Sequence, residues 1–435
     1  MGGKTRGSSH PGVPRVPLAS YRSLLRLSGP LYVVVAFLGR LPLAMSQLAT
    51  LLLVAGSSGS YGAGGASAGA LAVANALGSP VAGVLADRLG QRRVVLVQSA
   101  AGSACLFALV MLADAGVSWP VQAAIAALAG LTMPQVGPLA RVRWRPITAG
   151  TGADQRPLVD AAFSYEGAAD EASFVLGPAL VGGFAALLAP AAALVLAAAL
   201  LLVFGTWFAV HPSAALARAH ADSHTGVDPR PLVSRALRVL AVAQLVIGLV
   251  FGSVQTATSV LATAAGEPGL TGLLHALLGV GSVLAGLAVA GLPPQLGPVT
   301  RLRVSAAGLL VLSLPLLLVD SLSALAWVLL ALGLAVAPYM ITVFSLAERI
   351  VPPARTGAAM TLLAATTGLG YALGSSVAGQ LADAGGHRPA FAVTVAAGAL
   401  ATALALLAGG VLRAESALAA QRDRNVEMPR SSASA

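Results

Sequence analysis

Charged residues are scarce in this 435-residue chain: Asp, Glu, Lys and Arg make up 10% of it, while hydrophobic residues make up 57%. Soluble proteins carry roughly 25% charged residues, so the chain cannot cover soluble domains with a water-facing surface. Cys105 is the single cysteine, which excludes a disulfide-rich scaffold. The 49 Gly and 26 Pro follow no fixed period, which excludes a collagen-like chain. A polytopic membrane protein remains.

The apolar residues fall into twelve runs, each about long enough for a membrane-spanning helix of ~20 residues. Backbone groups in lipid must be satisfied inside a helix or a closed barrel, and the short alternating segments of a barrel do not occur. We place the runs at 30–54, 66–86, 93–113, 119–140, 161–188, 190–210, 237–263, 270–291, 302–319, 322–346, 357–382 and 389–410. The sequence therefore predicts an all-α membrane protein with twelve transmembrane helices.

The basic residues test this count independently. If the N-terminus is cytoplasmic, all of the 26 Lys and Arg residues except Arg40 and Arg388 fall in cytoplasmic segments. Cytoplasmic loops carry such an excess of basic residues, so we expect both termini in the cytoplasm. The basic residues are spread over short segments without interleaved aromatics, which argues against nucleic-acid binding.

A long polar stretch divides the spans into six and six. We predict a flexible cytoplasmic tail at 1–29, a six-helix bundle at 30–210, a cytoplasmic linker at 211–236, a second bundle at 237–412 and a flexible cytoplasmic tail at 413–435. Two repeated bundles around a linker are typical of transporters with a site near the membrane midplane. The single lysine and abundant alanine indicate a GC-rich bacterial source, and hence a bacterial inner (plasma) membrane.

The connection between the second and third spans reads Gly83-Val84-Leu85-Ala86-Asp87-Arg88-Leu89-Gly90-Gln91-Arg92-Arg93. This loop resembles the signature loop of the major facilitator superfamily (MFS), G-x-L-a-D-r-x-G-r-r. The resemblance implies a conformational switch: Asp87 would contact the end of a helix in the opposite half and stabilise the outward-facing state, with Arg88 and Arg92 as partners. The candidate switch residues are Gly83, Asp87, Arg88, Gly90, Arg92 and Arg93.

The fifth span contains Gly177, Pro178, Gly182 and Gly183. They resemble the antiporter motif of MFS drug exporters, G-P-x-x-G-G, although one extra residue separates the proline from the glycine pair. The alternative is ordinary small-residue packing between helices. Proton-coupled exporters of the family often carry an arginine within the fourth helix. Here none occurs before Arg141, at the predicted cytoplasmic end, so that part of the family mechanism does not carry over.

Few ionisable side chains lie inside the predicted spans. Arg40 lies deep in the first span, where a charged side chain costs at least ~2.5–3.5 kcal/mol unless it finds a partner or water. The fifth span offers Glu166, Asp170 and Glu171. We expect Arg40 to pair with Asp170 or Glu171 and one of these acids to carry a proton, since burial raises the pKa of a carboxyl group. A purely structural ion pair is the alternative.

Isolated polar residues interrupt the spans that, by the family resemblance, line a central cavity. Each could instead make an interhelical hydrogen bond. The candidate cavity residues are Gln47, Gln135, Gln244, Gln255, Tyr339 and Thr342.

The sequence offers no metal or cofactor site and no arrangement of catalytic residues, so an enzyme is not expected. A Walker loop is absent from the sequence, so an ion or substrate gradient must supply the energy. We predict a monomeric secondary transporter that exports a small, largely apolar compound by proton antiport, in contact with membrane lipid. The alternatives are proton-coupled uptake of a sugar or other metabolite, and a transporter-like sensor or scaffold.

Overall fold

The chain is described here by a computed structural model, which covers residues 17–222, 234–267, 270–293 and 296–427. Within these ranges the regular structure is helical throughout, and no strand occurs in them. The all-α prediction is therefore confirmed. Parts of the predicted linker (223–233) and of the predicted tails (1–16 and 428–435) lie outside the described residues.

The described part of the N-terminal half contains eleven α-helices. The helices are α1 Pro17–Ser28, α2 Pro30–Leu38, α3 Leu41–Ser58, α4 Tyr61–Leu89, α5 Gln91–Asp114, α6 Trp119–Leu131, α7 Val136–Ile147, α8 Gln155–Leu187, α9 Pro190–Leu200, α10 Thr206–Val210 and α11 Ser213–Asp222. A 3₁₀ segment (Ala149–Asp154) precedes α8, and a π turn (Leu201–Gly205) joins α9 to α10.

The C-terminal half repeats this long-helix arrangement. Its helices are α12 Arg235–Ala264, α13 Thr271–Val289, α14 Pro298–Ser313, α15 Leu322–Ile350, α16 Thr356–Gly385, α17 His387–Leu407 and α18 Gly409–Glu427. Serine residues cap the N-termini of two of the long helices. The side chain of Ser234 accepts a hydrogen bond from the amide of Leu237, and that of Ser321 accepts one from the amide of Ala324. These caps satisfy amide groups that have no partner inside the helix.

Ten helical segments of the described chain are long and apolar enough to cross a membrane. Two further helices, α8 and α16, have 33 and 30 residues and coincide with the predicted spans 161–188 and 357–382. The architecture is thus consistent with twelve spans. Each half has its own hydrophobic core, and the core of the C-terminal half also takes in Val159 and Phe163 of α8.

The first predicted span is broken at Gly39 and Arg40, between α2 and α3. Pro42, in the first turn of α3, has no backbone N–H to continue the hydrogen-bond ladder of α2. The break lies inside the bilayer-spanning stretch Pro30–Ser58. The break changes the direction of the chain at Arg40, whose side chain is buried.

The fourth predicted span, 119–140, is wrong in its end point. The helix breaks between α6 and α7, around Pro134, and then continues to Ile147. Arg141 and Arg143 therefore lie within a helix and are 1% and 0% exposed. The sequence predicts both in a solvated connection, because a run of arginines after an apolar stretch is typical of a cytoplasmic loop.

The predicted tails also contain regular structure. Helix α1 lies within 1–29 and α11 within the predicted linker, while α18 begins at Gly409 and continues into the predicted tail 413–435. Leu24 of α1 and Leu412 of α18 are buried, at 3% and 0% exposure. Packing of these apolar faces against the bundles accounts for order in segments whose composition is polar.

Candidate functional site

Four charged side chains meet inside the N-terminal half, and we call them the buried ion network: Arg40, Arg141, Glu166 and Asp170. Arg40 Nη2 lies 2.5 Å from Glu166 Oε2, and its Nη1 lies 3.0 Å from Asp170 Oδ1. Arg141 Nη2 lies 2.7 Å from Asp170 Oδ2. Two guanidinium groups thus face two carboxylates, and the network carries no net charge when all four are ionised.

The local backbone puts these groups together. The α2–α3 break presents Arg40, the extended α7 presents Arg141, and α8 presents Glu166 and Asp170 one turn apart. Gly137 leaves room for the network, because a Cβ atom there would lie 2.7 Å from Asp170 Oδ1. Close helix contact at a small residue is a common device in membrane bundles.

Glu166 is held from both sides. Its Oε1 accepts a 2.7 Å hydrogen bond from the indole N–H of Trp144, while its Oε2 faces Arg40. Tyr32 packs edge-on against Trp144, with the ring centroids 5.3 Å apart. Glu166 is fully buried, whereas the side chain of Asp170 is 17% exposed. Asp170 is therefore the member of the network that an incoming molecule can reach.

The sequence predicts Arg40 to pair with Asp170 or Glu171. The structure places Asp170 and Glu166 on Arg40, and Glu171 does not contact it. Residue 171 lies on another side of α8 and is buried, with 5% exposure. Sequence reasoning did not assign Arg141 to this site. The apolar Trp144, one turn beyond Arg141, is the signal that this arginine-rich stretch has a buried face.

The loop after α4 joins the two halves at the end of the bundle that carries Arg88, Arg92 and Arg93, which we call the basic end. Asp87 accepts hydrogen bonds from the backbone amides of Gly357 (3.0 Å) and Ala358 (2.8 Å), at the start of α16. A carboxylate at a helix N-terminus is favoured by the free amide groups and the helix dipole.

The arginines of the loop are placed differently from the prediction. Arg88 and Arg92 are not among the side chains bonded to Asp87, because the helix amides occupy its carboxylate. The side chains of Arg88, Arg92 and Arg93 are exposed. Arg218 of α11 donates instead to the backbone carbonyls of residues 87 and 88.

The two glycines of the loop, Gly83 and Gly90, are each required by a different feature of the structure. A Cβ atom at Gly83 would overlap the hydroxyl of Thr361 and lie 2.9 Å from the carbonyl oxygen of Gly357, so glycine lets α4 approach α16. Gly90 connects α4 to α5 with φ of 88°, in the region where a side chain is strained.

Further contacts across the two halves surround this joint. Arg145 of α7 lies 3.4 Å from Glu348 of α15, and Arg349 lies 2.6 Å from Asp160 of α8. The guanidinium carbon of Arg141 lies 4.2 Å from the ring centre of Phe344, a cation–π contact. The basic end of the bundle is therefore closed in this structure.

Helix α1 adds another cross-half contact at the basic end. The hydroxyl of Tyr21 donates a 2.7 Å hydrogen bond to the carbonyl of Leu287 in α13. Burial raises the pKa of Tyr21 to about 12, so the phenol stays neutral and remains a donor at physiological pH. The contact links the segment before the first span to the C-terminal half.

Only part of the predicted antiporter-like motif in α8 lies in a close helix contact. A Cβ atom at Gly177 would lie 2.7 Å from the Cβ of Ala44, so this glycine sets the contact between α8 and α3. Pro178 lies inside α8. Gly182 and Gly183 have no atom within 4 Å of such a Cβ position.

The predicted cavity residues fall into two groups. Gln47 and Gln255 are exposed, whereas Gln135, Gln244, Tyr339 and Thr342 are buried. Three of the buried residues make hydrogen bonds: Gln135 with Asn75 (3.3 Å), Tyr339 with the carbonyl of Ala243 (3.2 Å) and Thr342 with the carbonyl of Pro338 (2.6 Å).

Gln244 differs from the other buried members of this set. It is fully buried, and both polar atoms of its amide lack a hydrogen-bond partner among the described residues.

A family model described as the Major Facilitator Superfamily matches residues 32–347. The chain belongs to the major facilitator superfamily of membrane transporters. None of the curated proteins compared with the chain matches it significantly.

Solved transporter structures share the fold. The human organic anion transporter MFSD10 (TETRAN) is 20% identical, with a TM-score of 0.66, and the match covers 87% of this chain and 99% of that one. A bacterial homologue of the iron transporter ferroportin in an outward-facing state is 16% identical, with a TM-score of 0.68 and coverage of 86% and 97%. The nucleoside transporter NupG is 15% identical, with a TM-score of 0.54 and coverage of 88% and 98%.

Proposed function

We propose that this protein is a secondary transporter of the bacterial inner membrane that exports a small, largely apolar compound in exchange for protons. Both termini lie in the cytoplasm, so the basic end is the cytoplasmic end. The protein works as a monomer whose two bundles rock about a central site.

The buried ion network is the observation that carries the proposal. Asp170 lies between Arg40 and Arg141, at 3.0 Å and 2.7 Å, and is partly accessible. Such charges inside a membrane protein are costly and mark transport pathways and proton relays. Since two arginines balance two carboxylates, the network offers no net charge to a substrate, which favours a compound of largely apolar character.

The closed basic end fits the outward half of an export cycle. Asp87 on the start of α16, the Arg145–Glu348 pair and the Arg349–Asp160 pair all span the two halves there. An exporter must seal the cytoplasmic side while its compound leaves to the outside, and these contacts would break when the site faces the cytoplasm.

The proposal is tested by expressing the full chain in a bacterial strain that lacks its main efflux pumps. We expect lower ethidium accumulation than in cells with the empty vector, and a protonophore should abolish the difference. Asp170→Asn should accumulate ethidium as the empty vector does. The exposed Asp114→Asn is the matched control and should behave as the parent.

The other outcomes separate the alternatives. Higher accumulation in expressing cells would contradict export and indicate uptake. Purified protein in liposomes that moves no compound from a broad panel under any imposed gradient would contradict transport and favour a sensor or scaffold.

A further inference from the structure

We propose that the cleft between helix α1 and the start of α8 binds the headgroup of one anionic, hydroxyl-bearing phospholipid, such as phosphatidylglycerol. The lipid comes from the leaflet at the basic end and holds α1 against both halves of the protein. This site is separate from the buried ion network, and it depends neither on the transported compound nor on the coupling ion.

Helix α1 lies where a bilayer meets water. It ends at Ser28, and the first membrane-spanning stretch begins at Pro30. Its two basic residues, Arg22 and Arg26, are exposed and lie one turn apart on the helix, and α1 contains no acidic residue. Basic residues next to a membrane span attract anionic lipids.

The apolar side chains of α1 are divided between the protein and the bilayer. Leu24 is buried in the core of the N-terminal half. Leu25 and Leu27 are exposed, and Leu31 and Val34 continue this exposed apolar surface along α2, inside the first span. An acyl chain that follows these side chains brings its headgroup to the basic residues of α1.

A cleft of about 390 Å³ lies between α1 and the start of α8, which is large enough for a small ligand. The residues that matter for recognition are Ser20, Ser23, Arg26 and Leu27 on α1, and Thr151 and Asp154 just before α8. The cleft thus offers one guanidinium group, several oxygen atoms and an apolar edge.

These oxygen atoms favour a ligand that donates hydrogen bonds. The hydroxyl groups of Ser23 and Thr151 donate to the backbone carbonyls of Ala19 and Thr148. Their oxygens therefore remain as acceptors, as does the carboxylate of Asp154. A phosphate group beside Arg26 together with glycerol hydroxyls beside these acceptors matches the cleft, since arginine binds phosphate well.

The charge of the cleft selects among phospholipids. The charged side chains of α1 and of the cleft lining are Arg22, Arg26 and Asp154, two positive and one negative. A headgroup with a single negative charge balances the excess. A zwitterionic headgroup such as phosphatidylethanolamine leaves one positive charge without a counterion, so we expect it to bind more weakly.

A lipid in this cleft acts on the contact between the two halves. Helix α1 packs against α8 of the N-terminal half. The hydroxyl of Tyr21 donates its 2.7 Å hydrogen bond to the carbonyl of Leu287 in α13, which belongs to the other half. A lipid that fixes α1 on α8 therefore also supports its bond to α13.

The first test uses the full-length protein in micelles of an uncharged detergent, which present no anionic surface of their own. Native mass spectrometry measures bound lipid during titration with phosphatidylglycerol or with phosphatidylethanolamine of the same acyl chains. The variant is Arg26→Gln. The matched control is Arg413→Gln, which removes an exposed arginine of α18.

We expect one phosphatidylglycerol to bind more tightly than any phosphatidylethanolamine. Arg26→Gln should weaken this binding by about tenfold or more, because hydrogen bonds to charged groups contribute at least that much. Arg413→Gln should bind the lipid as the parent does. An unchanged affinity in Arg26→Gln, an equal loss in both variants, or equal affinity for the two lipids would overturn the proposal.

Hydrogen exchange in lipid nanodiscs gives an independent measurement. The amides of α1 should exchange more slowly in discs with phosphatidylglycerol than in discs of phosphatidylcholine, and Arg26→Gln should remove the difference. Glycerol 3-phosphate added to phosphatidylcholine discs should not slow the exchange, because it has no acyl chain. Equal exchange in the two kinds of disc, or full protection by the soluble phosphate, would contradict a lipid at this site.

Discussion

At the residue scale, the buried ion network has a desolvation cost and, in our proposal, a role in transport. Each guanidinium and carboxylate group loses its hydration. The ion pairs and hydrogen bonds offset this desolvation penalty because each carboxylate oxygen has a close donor. Trp144 supplies the donor that the two arginines leave over, on Oε1 of Glu166. Both carboxylates are therefore satisfied, while Nε and Nη1 of Arg141 have no hydrogen-bond partner among the described residues. The two acids differ in burial, since Glu166 is fully buried and the side chain of Asp170 is 17% exposed.

Glu166→Gln should destabilise the protein by about 3–5 kcal/mol, because it leaves Arg40 with a buried charge that is only partly compensated. Chemical unfolding in detergent micelles measures the change. The exposed Glu267→Gln is the control and should lie within about 0.5 kcal/mol of the parent. Equal stability of the Glu166 variant and the parent would contradict the proposed role of the pair.

At the element scale, close approach of helices at glycines sets the joint between the halves. Gly83 lets α4 lie against Thr361 of α16, and Gly279 lets α13 lie against Val175 of α8. A stronger contact at the first joint comes from Asp87, which binds the amides at the start of α16. The joint between α4 and α16 therefore holds the basic end closed by packing and by charge, while the contact of Gly279 with Val175 lies deeper in the bundle, about 30 Å along α8 from Gln155.

Gly83→Ala should weaken closure of the basic end by about 1–3 kcal/mol, the usual cost of overpacking. Spin labels at Ala153→Cys, just before α8, and Leu292→Cys, just after α13, in a Cys105→Ala background, report it by pulsed electron resonance as a larger open population. Gly69→Ala in the same helix is the control, since no atom lies within 4 Å of its Cβ position. A closed population unchanged by Gly83→Ala would mean that α4 and α16 tolerate separation without opening.

Asp87→Asn should also favour opening, by about 1.5–3 kcal/mol, because hydrogen bonds to a charged acceptor are worth that much. The same label pair measures it. Asp114→Asn, at the exposed end of α5, removes a carboxylate without touching α16 and should leave the distances unchanged. If Asp87→Asn stays as closed as this control, its contact with the helix amides does not stabilise closure.

At the scale of the whole molecule, hydropathy and the placement of arginines were enough to predict an all-α polytopic membrane fold, because the bilayer restricts spanning segments so strongly. Local packing was not predictable in the same way. The helix resumes after the break near Pro134, and Arg141 therefore lies in the protein interior. An apolar run alone does not show where a helix resumes after such a break. The partner of Arg40 depended on which side of α8 each acid faces, which needs the helix rotation.

If the protein is a proton antiporter, outward movement of its compound consumes the proton gradient. The direct measurement uses everted membrane vesicles, acidified inside by respiration, with acridine orange as the pH dye and a compound to which expression confers resistance. The compound should restore dye fluorescence in vesicles with the parent protein, and not in vesicles with Asp170→Asn. Uptake of the compound into vesicles without any release of protons would contradict proton antiport.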